Sequence, residues 1–138
     1  MTARSTAVPA DAAQLTVLTG FLREFGSAVA LDAAQLQTFE LALEEIFMNI
    51  VMHGSQPGST PLVEVLLQRA AESVTMTVED NGPEFNPLAL PPPDVTASLA
   101  DRPVGGLGVF LVRKMMDTVS YSRIAGRNQL RISKRLDG

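Results

Sequence analysis

An α+β fold is predicted for this chain: a two-layer α/β sandwich with helices on one face of a mixed, mostly antiparallel sheet. Three observations carry that expectation. Two apolar segments of helical period come first, two alternating runs joined by a short polar link follow, and a third helical segment leads into two more alternating runs. Short connections favour antiparallel neighbours, and the sheet's second face must be covered or tolerate water.

Each element has its own local reason. Residues from Asp11 to Ala28 read as a helix, with Asp11 as N-cap and Leu15, Leu18, Phe21, Leu22 and Phe25 at helical spacing before Gly26. Asp32 is a second cap, before a long stretch with Leu36, Phe39, Leu43, Ile46, Phe47 and Ile50 on one face. Gly54, Pro57 and Gly58 end it. Leu62 to Arg69 carries Val63, Val65 and Leu67 on one side, and Ser73 to Asp80 carries Val74, Met76 and Val78, so the pair reads as an antiparallel hairpin. Five prolines between Pro83 and Pro93 rule out regular structure there, and residues 83–104 read as a lid. Helix returns over Val109 to Asp117. Thr118 to Ile124 and Gln129 to Leu136 read as strands, with Gly126 and Asn128 assigned to the turn between them.

Composition narrows the function. The 138 residues suit one domain, and a hydrophobic fraction of 46% with 19% charged residues suits a soluble globular protein. With no cysteine and a single histidine, His53, disulfides, thiolate sites and a His-rich zinc centre are excluded, and a reducing cytoplasm is the simplest compartment. No apolar run approaches the roughly 20 residues of a membrane span, and the first ten residues do not resemble a secretory signal. A net charge of -4 speaks against nucleic acid as a direct partner. A small anion remains possible, because backbone amides can bind one locally.

Three signatures stand out. Glu45 and Asn49, four residues apart, share one side of a helix, at the border of its core stripe. The Asn49 amide oxygen suits Mg²⁺ when phosphate oxygens complete the shell, and the Glu45 carboxylate can orient a nucleophile or take its proton. A solvated helix face gives the same pair. Asp80-Asn81-Gly82 is compatible with a tight hairpin turn. The prolines that follow favour a second reading, in which Asp80 stands at a strand end, accepts a hydrogen bond from an exocyclic amine, and Gly82 leaves room for a flat ring. Gly105-Gly106-Leu107-Gly108 before a helix offers N–H groups and the positive end of the helix dipole to phosphates, or else a hinge. No Gly-Lys-Ser/Thr follows, so it is not a P-loop. Leu107, Val109, Leu111 and Val112 are expected to fix this loop to the core.

Taken together these stretches resemble the GHKL ATPase superfamily with the Bergerat nucleotide-binding fold, and within it the stand-alone anti-sigma-factor serine/threonine kinases of bacteria. Leu43 to Asn49 with His53-Gly54 resembles the N box, Val78 to Phe85 the first glycine box, and Gly105 to Arg113 with Met116-Asp117 the second. The resemblance implies ATP and Mg²⁺ as ligands. By position, Glu45 is the implied general base, Asn49 the implied Mg²⁺ ligand and Asp80 the adenine reader. Gly82 then gives the ring space, and Gly105, Gly106, Leu107 and Gly108 belong to the phosphate loop. It further implies binding of a sigma factor and phosphorylation of an anti-anti-sigma (STAS-type) partner on Ser or Thr, often as a homodimer. One departure stands against kinase activity. Where family kinases carry an early arginine, this chain reads Ala12-Ala13-Gln14-Leu15-Thr16, so Gln14 or a neighbour takes that place. A neutral amide cannot supply the charge, Arg23 is two turns too late, and Arg102 in the lid is the remaining substitute. A nucleotide-dependent protein-binding module without efficient kinase activity is therefore the alternative.

Overall fold

The protein is described by a computed structural model over residues 1–54, 57–89 and 106–136. A strand, β1 (Thr2–Pro9), leads into a 3-10 turn (Ala12–Gln14) and helices α1 (Leu15–Ala28) and α2 (Ala33–Gly54). The hairpin β2 (Leu62–Arg69) and β3 (Ser73–Asp80) follows, then a short 3-10 turn (Pro87–Ala89), α3 (Gly106–Met115) and a second hairpin, β4 (Thr118–Ile124) with β5 (Arg127–Arg135). The sheet order is β1-β2-β3-β5-β4. Every pairing among the described strands is antiparallel, the limiting case of the mostly antiparallel sheet expected.

Asp32 caps α2 as its sequence suggested. Its Oδ1 accepts from the Gln35 N–H at 2.7 Å, and Gln35 Oε1 accepts from the Asp32 N–H at 2.9 Å, a reciprocal capping box. Asp11 does cap, but it caps the 3-10 turn, and the α-helix proper begins at Leu15. Basic side chains from the sheet close two helix ends: Arg69 Nη1 donates to Val29 O at 2.7 Å, and Lys134 Nζ donates to Met115 O at 2.9 Å.

The core lies between the layers. Phe25, Phe39 and Phe47 are fully buried against Val63, Val65, Leu67, Val74 and Met76 from the inner face of the sheet. The other face is polar, with Glu64, Thr75, Glu79, Gln129 and Arg131 alternating against the core residues, so it tolerates water. Gln129 Nε2 donates to Glu79 Oε1 across that face at 2.6 Å.

Four expectations need correction. β1 was not anticipated; it pairs with β2 along its whole length, from Thr2 opposite Arg69 to Pro9 opposite Leu62. Asn128 is not a turn residue but lies inside β5, which begins at Arg127, and the turn is Ala125-Gly126 with φ of 51° and 77°. Leu111 faces solvent at 41% exposure, whereas Val109 and Val112 are buried, because the helix starts at Gly106 and its apolar stripe is narrow. Gly106 and Gly108 consequently lie in the first turn of α3 rather than ahead of it.

Ala125 occupies a left-handed conformation that an L-residue with a Cβ disfavours, in a two-residue turn that prefers Asn-Gly. Replacing it, Ala125→Asn, is expected to raise stability by roughly 0.5–1 kcal/mol. A urea titration checks this through a higher midpoint at unchanged slope.

Candidate functional site

Helix α2 and the end of β3 meet at one end of the sheet, and the start of α3 lies against Glu45 of α2. A pocket of about 20 Å³ opens there, lined by Ile46, Asn49 and Ile50 of α2, Val78 and Asp80 of β3, Pro83 and Phe85 after it, and Tyr121, Asn128 and Leu130 of the second hairpin. Its walls are mainly apolar with a few convergent polar groups, the chemical pattern of small-molecule sites.

Asn49 is deeper than its position on the helix suggested. It is 4% exposed and lies in the core rather than at its border. Its Nδ2 donates to Glu45 O at 2.9 Å, one turn back, which leaves Oδ1 buried with no hydrogen-bond partner among the described residues. A buried carbonyl oxygen without a donor is costly unless a ligand completes it. A neutral hard oxygen of this kind suits Mg²⁺. Among the described residues no cluster of His, Cys, Asp or Glu side chains could hold a metal alone, so phosphate oxygens and water would have to supply the remaining positions.

Glu45 reaches from α2 to α3. A Cβ built on Gly108 would lie 1.7 Å from Glu45 Oε2 and 2.3 Å from its Cδ, so the carboxylate rests against the glycine backbone. Burial first, then the charge of Glu44, pushes the Glu45 carboxyl above the usual carboxylate range. The first N–H groups of a helix have no partner within it, and the first turn of α3 begins here. Gly105 lies outside the described residues, as do the side chain of Leu107 and residues 90–104 of the expected lid.

Asp80 is 4% exposed, and its Oδ1 accepts from the Gly82 N–H at 2.9 Å and from Asn128 Nδ2 at 3.0 Å. Gly82 is not among the glycines with positive φ, so no hairpin turn explains it. Space does: a Cβ there would come within 3.0 Å of Asp80 Oδ1, 3.1 Å of Pro61 Cγ and 3.3 Å of Gly54 O. Arg123 Nη1 donates to Gly82 O at 2.9 Å, and the Asn81 side chain accepts from the Leu62 N–H at 2.8 Å. His53, at the end of α2, stacks on Phe85 with centroids 4.6 Å apart. Burial, then Glu84, pushes the Tyr121 hydroxyl up, which keeps it a donor, and it donates to Asn128 Oδ1. Asn128, Tyr121, Arg123 and Phe85 are site residues that the sequence reading did not single out. An Asn and a Tyr on the inward-facing positions of a strand pair are the signal that was available.

The chain matches a family model over residues 8–134, described as a histidine kinase-like ATPase domain. It belongs to that family, the GHKL ATPases. Among curated proteins, the serine/threonine-protein kinase BtrW of Bordetella bronchiseptica is 32% identical over 96 residues, 70% of this chain and 68% of that protein. This GHKL domain is thus of the ATP-binding, kinase-like type, on the fold that its sequence implied.

The contact between Gly108 and Glu45 gives a coupling test. Gly108→Ala should cost about 1–3 kcal/mol, because the methyl and the carboxylate cannot share that space. In a Glu45→Ala background most of this cost should vanish. Denaturant unfolding of the four chains measures it, and additive costs would show that the contact is not the cause.

Proposed function

We propose that the protein binds Mg·ATP in this pocket and transfers the γ-phosphoryl group to Ser or Thr of an anti-anti-sigma (STAS-type) partner, acting as an anti-sigma regulator of transcription. Asn49 and Asp80 line one pocket, and Glu45, one helical turn from Asn49, lies against Gly108 of α3; that arrangement carries the reading. In it, Asp80 accepts from the adenine amine and Gly82 leaves the ring room. Gly105, Gly106, Leu107 and Gly108 cradle phosphates at the start of α3, and Asn49 Oδ1 is the protein ligand of Mg²⁺. Bound there, Mg²⁺ offsets charge on the phosphate oxygens. Glu45 is the group to accept the hydroxyl proton, and its raised pKa brings it nearer the working range of a general base. The partner-switching scheme adds a sigma factor as second partner, a possible homodimer and a cytoplasmic setting. No described helix is long and apolar enough to cross a membrane.

The absence of the early arginine favours a second reading, a nucleotide-dependent binding module without efficient transfer. Gln14 or a neighbour stands where that arginine is expected, and Arg23 is engaged with Glu40 at 2.6 Å on the α1–α2 surface. Incubation with labelled ATP, Mg²⁺ and an anti-anti-sigma protein separates the two: label on the partner supports the kinase, whereas bound ATP with no transfer supports the module.

Mg·ATP at about a hundred times its Kd is expected to stabilise the protein by about 2.7 kcal/mol in a thermal shift, and Mg·GTP to leave it unchanged. No shift with either nucleotide would overturn the nucleotide site.

Glu45→Gln is expected to cut transfer by about a hundredfold or more while ATP still binds. The same change should raise the melting temperature at neutral pH. A carboxyl whose folded pKa is raised contributes stability below its unfolded pKa and loses it as pH rises through the folded one. The gain from Glu45→Gln should therefore shrink as pH falls toward about 4, and melting curves across that range check the sign.

A further inference from the structure

The amide of Asn128 is the most heavily bonded side chain at the pocket. Its Nδ2 donates to Asp80 Oδ1 at 3.0 Å and to Pro83 O at 2.8 Å. Its Oδ1 accepts from the Phe85 N–H at 3.1 Å and from the Tyr121 hydroxyl. An amide has two N–H donors and two lone pairs, and all four are engaged within the protein. Asn128 lines the pocket at 6% exposure, yet it has no hydrogen-bonding capacity left for a ligand. Any effect it has on a bound base must pass through the groups that it holds.

The most consequential of these is Asp80. With Oδ1 taken by Gly82 and Asn128, Oδ2 is the oxygen left to meet a base, and the carboxylate plane is fixed. A carboxylate oxygen accepts and cannot donate, so an exocyclic amine is favoured there and an oxo group would set lone pair against lone pair. We propose that Asn128 is the positioning residue for base selection: by anchoring Asp80 Oδ1, it leaves one oriented acceptor in the pocket that distinguishes a 6-amino from a 6-oxo purine. The same amide ties that carboxylate to Pro83 and Phe85, the first residues beyond β3. The inference rests on the ATP-binding reading above and adds the residue that makes the selection strict.

Affinities of the full chain for ATP and for inosine triphosphate, both with Mg²⁺, test it. The unaltered chain should prefer ATP. In Asn128→Ala the preference should fall by about tenfold or more, since a charge-assisted hydrogen bond that orients the acceptor is gone. Tyr121→Phe removes one donor that orients the amide and should shift the ratio the same way, by less. A residue that merely braces the loop would weaken both nucleotides equally, so an unchanged ratio in Asn128→Ala overturns the proposal, whatever happens to the melting temperature. Should Asn128→Ala fail to fold, the ratio in Tyr121→Phe decides, and no change there overturns it. Failure of the underlying reading is visible elsewhere: the unaltered chain would show no affinity for Mg·ATP, and the proposal would fall with it.

Discussion

Asp80 is a carboxylate sunk into the end of a sheet, and a group of that kind must be surrounded by donors or it destabilises the fold. One donor is local, the Gly82 N–H two residues on. The other comes from Asn128, and it is available only because β3 and β5 pair with Asp80 directly opposite Asn128. A slip of one residue would turn Asn128 to the polar face and leave Asp80 with a single donor. Register, normally fixed by apolar alternation, is here also fixed by a polar pair.

The rest of the site departs from what stability alone would select. Asn49 keeps an oxygen in the core that is unsatisfied among the described residues, Glu45 holds a partly desolvated carboxyl against a helix backbone, and Gly108 and Gly82 give up side chains where neighbours crowd in. Such departures from local rules gather where a ligand is to be met. Around them the fold is conventional: capped helices, local hairpins and an unbroken core of Phe, Leu, Val and Met.

Much of this was legible in the chain itself. The β2–β3 hairpin followed from alternation, the start of α2 from Asp32, and the three signatures from spacing. The misses have physical causes. β1 is built of Thr, Ala, Arg and Ser with only Val8 deeply buried, so its strand state comes from pairing with β2 and not from any period of its own. Asn128 was assigned to a turn because Asn near Gly favours turns, whereas tertiary hydrogen bonds decide its place. The depth of Asn49 was hidden because periodicity ranks faces by hydrophobicity, and a buried amide reads as surface. Gly82 looked like a turn former, although what it supplies is room.

The order of the strands also bears on how the molecule assembles. Both hairpins join neighbours in the chain, so each can form early from nearby residues. The β3–β5 ladder joins Asp80 to Asn128, 48 positions apart, and must wait for a long loop to close. Since the carboxylate and its amide lie at the end of that ladder, a chain that has formed its hairpins but not yet united them has no completed pocket, and competence for ligand arrives only when the two hairpins join.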